Sequence, residues 1–210
     1  MTDRQGCPTI PLALDGYTDL PPGKLANVVT YFQRKPPDRA APPLPGFAIR
    51  HVERPEVAWY RDLYRRIGED WLWFSKAVMP DERLAAILRN PTTMILVLEQ
   101  DGLATGLAEL GLAKPGEIEI VMFGVVPEAT GTGAARALME AALAQTMRPG
   151  VERVWLHTCT FDHPAAVRFY LDRGFRAYKF AIEVSDDPRL TGHLPRTAAR
   201  QVPLIDPRTG

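Results

Sequence analysis

Between Phe47 and Val184 the spacing of apolar residues switches repeatedly between a period of two and a helical period, which restricts the chain to a layered α/β architecture. Residues 47–53, FAIRHVE, alternate as a strand does. After Pro55, Val57, Trp59, Tyr60, Leu63, Tyr64 and Ile67 recur at helical spacing as far as Gly68, and Pro55 suits a first turn. Residues 81–88 make a second short helix, ended near Asn90 and Pro91. MILVLE (94–99) and LATGLAEL (103–110) are strands joined through Asp101-Gly102, a pair suited to a tight hairpin. EIEIVMFGVV (117–126) is a third strand, followed by a Gly-rich turn and an Ala/Leu-rich helix over 131–147. A strand at 151–160, a helix at 164–173 stopped by Gly174, and a strand at 177–184 complete the order β-α-α-β-β-β-α-β-α-β. Hairpins followed by a βαβ crossover predict a mixed sheet with helices on both faces.

The flanks read differently. Nine of the 20 prolines precede Phe47, and the pairs Pro21-Pro22, Pro36-Pro37 and Pro42-Pro43 exclude a continuous helix and remove strand donors. LANVVTYF (25–32) is the apolar stretch of this region. We read 1–46 as a proline-rich arm, lying on the domain or partly without fixed structure. Residues 47–184 are the domain, and 185–210, with Pro188, Pro195, Pro203 and Pro207, a C-terminal wrap.

Composition narrows the function classes. With 25 basic and 25 acidic residues in 210, the formal net charge is zero, which disfavours a nucleic-acid binder driven by phosphate neutralisation. No apolar run approaches the roughly 20 residues that span a bilayer. The opening MTDRQGCPTI lacks the apolar segment of a secretory signal. Cys7 and Cys159 are too few for a disulfide framework or a metal-ligand cluster. The expectation is a cytoplasmic protein with no metal, nucleic-acid or membrane partner.

PEATGTGAARALM (127–139) places Gly131 and Gly133 where a strand ends and a helix begins. The amides of Gly131, Thr132, Gly133, Ala134 and Ala135 lack intrahelical partners there, and with the helix dipole they form an anion site; Arg136 adds a cation one turn in. The stretch is neither a Walker A loop nor GxGxxG, because Arg136 stands where the third glycine belongs. Taken alone, it reads equally as a tight β–α connection. A second constellation, HTCTFDHPAAVRFYLDRGF (157–175), sets Tyr170 on a helix before a Gly174-Phe175 stop.

Together these stretches resemble the GCN5-related N-acetyltransferases (GNAT): the loop resembles their Q/R-x-x-G-x-G/A acetyl-CoA turn, and the segment from His163 their N-x-x-A-x-x-x-Y-x-x-x-G-F signature. Thr130 replaces the usual Gln or Arg, and His163 the usual Asn. The resemblance implies a splayed mixed sheet of the acyl-CoA N-acyltransferase type. It also implies an acetyl-CoA cosubstrate and direct transfer of acetyl to a small-molecule or peptide amine, and it leaves room for a homodimer. On the same fold, a CoA sensor without turnover is the alternative.

Site roles follow from the resemblance. The backbone of Phe123, Gly124 and Val125 would pair with the pantetheine arm, and His163 would hydrogen-bond to it. Tyr170 would protonate the departing thiolate; its competing role is aromatic packing beside Phe169. Glu117 and Glu119 share a strand face, and Glu119 is the chosen base, with Glu117, His157, Glu109 or water in reserve. GEDWLWFSK (68–76) offers Trp71, Trp73 and Phe74 beside Glu69 and Asp70, either an aromatic acceptor wall or core packing.

Overall fold

The computed structural model describes residues 10–208, so Cys7 lies outside them. A seven-stranded sheet carries the fold: β1 (Lys24–Arg34), β2 (Ala48–His51), β3 (Thr93–Gln100), β4 (Leu103–Gly111), β5 (Glu117–Val125), β6 (Arg153–Cys159) and β7 (Arg176–Asp186). Four helices flank it: α1 (Val57–Gly68), α2 (Asp81–Leu88), α3 (Ala134–Ala144) and α4 (Ala166–Asp172). Strand order is β2-β3-β4-β5-β6-β1-β7, antiparallel except for β5 against β6. This is the mixed sheet expected from the alternating periods. Asp101 and Gly102 both adopt positive φ (51° and 77°), the twist that a two-residue hairpin between β3 and β4 requires.

β1 is the departure from expectation. The region read as an arm contributes an 11-residue strand, inserted antiparallel between β6 and β7. Proline pairs at 21–22 and 36–37 bound this strand rather than interrupt it, so the proline-free interval is free to pair. Its Val29 and Phe32 are buried, and Phe32 meets Tyr170 of α4 with ring centroids 5.9 Å apart.

Both sheet faces are covered. α1 buries Tyr60, Leu63, Tyr64 and Ile67, one helical stripe, while Arg65 and Arg66 sit favourably in its last turn. α3 buries Ala137, Leu138 and Met139 on the opposite face. Gly124 of β5 lets α1 approach: a Cβ there would sit 2.5 Å from Cγ2 of Ile67 and 3.3 Å from the Trp73 ring. The missing side chain therefore serves helix–sheet packing.

The C-terminal segment is tied down by one buried arginine. Arg189 bonds Asp187 at 2.7 and 3.0 Å and donates to the carbonyls of Ala198, Ala199, Val202 and Pro203. Leu194, Ala198 and Ala199 then close a small apolar cluster with Leu72. Among the described residues, no helix is long and apolar enough to cross a membrane.

Two predictions follow from this packing. Arg189→Ala leaves the buried Asp187 carboxylate unpaired and should cost about 3–5 kcal/mol in urea unfolding. Burial raises the Asp187 pKa, but the Arg189 bonds outweigh it and hold the carboxyl below its ordinary range. That stability is therefore present above the ordinary carboxylate pKa and lost on acidification through the lower folded value. Gly124→Ala should destabilise by about 1–3 kcal/mol through overpacking. Combined with Ile67→Ala it should cost less than the sum of the two singles, as a double-mutant cycle would read.

Candidate active site

β5 and β6 run together for only three residue pairs, Glu117–Glu119 beside Arg153–Trp155, and then part. A register shift between Glu109 and Leu110 leaves Val121 of β5 unmatched by β4, a bulge that bends β5 at the point of parting. Between the branches opens a cavity of about 990 Å³, lined on one side by Ile120 to Val125 and on the other by Leu156 to Cys159. Val126 N–H donates to Thr105 of the β4 side at 2.8 Å. By alternation, Gly124 turns its main-chain groups to β4, while Phe123 and Val125 turn theirs into the fork.

The Gly-rich turn stands at one mouth of the fork. Gly131 and Gly133 take φ of 79° and 95°, a region open to glycine at little cost, and Gly133 is the N-cap of α3. Thr132 and Ala134 use their amides locally, on Ala129 O at 3.4 Å and Thr132 Oγ1 at 3.4 Å. The amides of Gly131, Gly133, Ala135 and Arg136 make no hydrogen bond to another described residue. Thr130, Gly131 and Ala135 line the cavity, whereas the Arg136 side chain is exposed. Four main-chain donors thus stand unpaired at this turn, one fewer than the five consecutive amides expected from sequence.

Tyr170 lies at the floor, ringed by Phe32, Phe123, Phe169 and Phe175. Its ring packs in this aromatic cluster and also lines the cavity. Burial, and then the Asp162 charge, push its pKa far above the ordinary phenol value, so the hydroxyl keeps its proton. Asp162 accepts from Trp73 Nε1 at 2.9 Å, Thr158 Oγ1 at 2.6 Å and Cys159 N at 2.9 Å. That anchor was not singled out from sequence, since it forms only when Trp73, 89 residues away, meets the end of β6. Cys159 is a thiol at neutral pH, pushed up to about 11 by burial and Asp162. His163 lies in the turn before α4, its Nδ1 accepting from Ala165 N at 3.1 Å, and its ring meets Trp71 edge-on.

The carboxylates separate into three roles. Glu117 is bound by Lys114 at 3.0 Å and Arg153 at 3.2 Å, which hold its pKa down. Glu109 is buried against Lys76 Nζ (2.9 Å) and Tyr60 Oη (2.5 Å). Glu119 sits at the point where the strands part; burial, then Glu109, raise its pKa against the pull of Lys76. It stands one residue before the cavity-lining run of β5. His157, a reserve base in the sequence reading, is exposed and packs on Tyr31.

At the far mouth, Asp70, Trp71, Trp73 and Phe74 line the cavity, and Glu69 does not. Asn27 of β1 lines it too: its Nδ2 donates to Glu183 at 3.1 Å, and its buried Oδ1 has no partner. Gln201 of the C-terminal segment also lines the mouth and donates to Asp70 O at 2.6 Å. Neither Asn27 nor Gln201 carried a local sequence signal.

Residues 57–175 match the profile of the Acetyltransferase (GNAT) family. Over 103 residues the chain is 35% identical to an uncharacterized N-acetyltransferase of Mycobacterium bovis and to one of Mycobacterium tuberculosis strain H37Rv. The matched stretch covers 49% of this chain and 65% of those relatives, so the chain spans just under two thirds of their length. A GCN5-related N-acetyltransferase from Sphaerobacter thermophilus superposes at a TM-score of 0.56 with 16% identity, over 77% of this chain and 52% of that one. The Escherichia coli ribosomal-protein-S18-alanine N-acetyltransferase does so at 0.52 with 17% identity, over 67% of this chain and 94% of its own. These structural likenesses show the fold. With its forked sheet, its glycine turn and a family match across more than half its length, this chain belongs to the GNAT acetyltransferase family.

Proposed function

We propose that this protein is an acetyl-CoA-dependent N-acetyltransferase, moving acetyl to a primary amine by direct attack in a ternary complex. The observation that carries the reading is the open fork, with unpaired main-chain donors at the α3 end and a protonated, buried phenol at its floor. The free amides of Gly131, Gly133, Ala135 and Arg136 suit a diphosphate. The inward main-chain groups of Phe123 and Val125 suit an amide-bearing arm added as a strand, and His163 borders the same channel.

The chemistry assigned to the side chains balances. The amine lone pair forms the N–C bond to the thioester carbonyl carbon, and the C–S bond breaks. Tyr170 gives its hydroxyl proton to the departing sulfur and is reprotonated by the second N–H proton, which the nitrogen sheds as the tetrahedral adduct collapses to the amide. Glu119, through water, takes the proton that the ammonium must lose before attack. The acceptor end supports an amine: Asn27 Oδ1 is an unfilled acceptor, Glu183 supplies a carboxylate, and Trp71 and Phe74 supply apolar walls. No group of three or more metal-binding side chains occurs among the described residues.

Calorimetric titration with acetyl-CoA, followed by thiol release over a panel of amines, tests the reading. Binding with no thiol release for any acceptor would favour the CoA-sensor alternative, and absence of binding would overturn both. Tyr170→Phe should lower kcat by about 10²–10⁴-fold and leave acetyl-CoA affinity nearly unchanged. Because Glu119 must be ionised to accept a proton and its pKa is raised, the rate should climb with pH through that value. Glu119→Gln should lower the rate and flatten this limb; an unaltered pH profile would remove Glu119 from the mechanism.

A further inference from the structure

At the end of the sheet remote from the fork, three arginines stand on neighbouring strands. Arg153 opens β6, Arg34 closes β1 and Arg176 opens β7. β1 lies between the other two, with Arg34 opposite Val154 and Gln33 opposite both Trp155 and Arg176. By alternation, Arg153 and Arg176 leave one sheet face and Arg34 the other, so the strand ends are rimmed by guanidinium groups from both sides.

A groove of about 1010 Å³ opens beside these strand ends, and it shares no lining residue with the cavity of the fork. Lys35 and Arg39 line it together with the three arginines, while Asp38 and Glu152 are its acidic residues. The surplus of three positive charges stands out in a chain of zero net charge. Pro36 and Pro37 stiffen the backbone that carries Lys35 and Arg39 past the groove.

The fold leaves most of these donors unspent. Lys35, Arg39 and Arg176 are exposed, and their side chains make no hydrogen bond, ion pair or ring contact with a described residue. Arg153 pairs with Glu117 at 3.2 Å through one Nη and lies over the Tyr178 ring, while its buried Nε has no partner. Arg34 donates Nε to the Lys35 carbonyl at 3.0 Å and one Nη to the Arg173 carbonyl, which fixes its guanidinium at the groove. Burial lowers the Arg34 pKa; Glu140 opposes this, and the like charge of Arg173 adds to it. An anion seated among these groups relieves the repulsion between them.

We propose that this groove binds a small polyanion bearing two or more phosphate groups, at a site separate from the fork. Guanidinium groups meet phosphate oxygens two at a time, and the groove has the volume of a small-molecule site. One phosphate reaches only part of the row, whereas a chain of phosphates spans it.

Calorimetric titration of the full chain with tripolyphosphate tests the site, whether or not the protein turns over acetyl-CoA. Binding is expected at about 50 mM salt and should weaken severalfold at about 200 mM, as the charges are screened. Arg39→Ala/Arg176→Ala removes two side chains that hold nothing in the fold, so the thermal melt should stay in place. Tripolyphosphate affinity of this double variant should fall by about tenfold or more. Inorganic monophosphate should bind the parent protein at least about tenfold more weakly than tripolyphosphate. A parent protein that does not bind tripolyphosphate, or monophosphate bound as tightly, would overturn the proposal. So would a double variant that binds like the parent, since the anion would then sit elsewhere, as at the glycine turn before α3.

Discussion

The parting of β5 from β6 after Glu119 and Trp155 is the constraint on which the rest of the structure turns. A sheet that stays zipped satisfies its backbone groups internally and offers no groove. Here the β5 bulge at Val121 bends one strand away, and the main-chain groups of Phe123 and Val125 face open space. Such groups are costly to bury unpaired, so a fork of this kind is suited to a ligand that arrives as an added strand.

Neighbouring elements hold the fork open from both sides. On the β5 branch, α1 packs Ile67 and Trp73 into the space left by Gly124, which fixes that strand against the helix. On the β6 branch, β1 pairs along Val29 to Arg34 and brings Phe32 against Tyr170. The N-terminal segment thus supports the wall behind the phenol. Asp162 joins the branches, since its carboxylate takes Trp73 from the α1 side and Thr158 from β6.

Electrostatics then sort otherwise similar groups. Glu117 and Glu119 lie two residues apart on one strand, yet ion pairs hold the first ionised and burial raises the second. Tyr170 and Cys159 both keep their protons because the cavity floor is desolvated and faces Asp162. The far mouth is assembled from β1, β7 and the C-terminal segment, with Arg189 anchoring the last by its carbonyls.

The helices α1 to α4, the β3–β4 hairpin and the glycine turn before α3 were legible in the sequence. Each is set by a contiguous stretch whose apolar period or turn residues act locally. The strand from Lys24 to Arg34 was obscured by the prolines around it, because its partners lie more than a hundred residues away in β6 and β7. Long-range contacts likewise hid Asn27, Asp162 and Gln201, whose partners Glu183, Trp73 and Asp70 lie 156, 89 and 131 residues away. Sequence alone determined which stretches between Phe47 and Val184 become helix, strand and turn, and which family they resemble. Tertiary structure alone decided which strand fills the gap beside β6, which carboxylate stays free of ion pairs and where the sheet opens, since those outcomes depend on long-range pairing and desolvation.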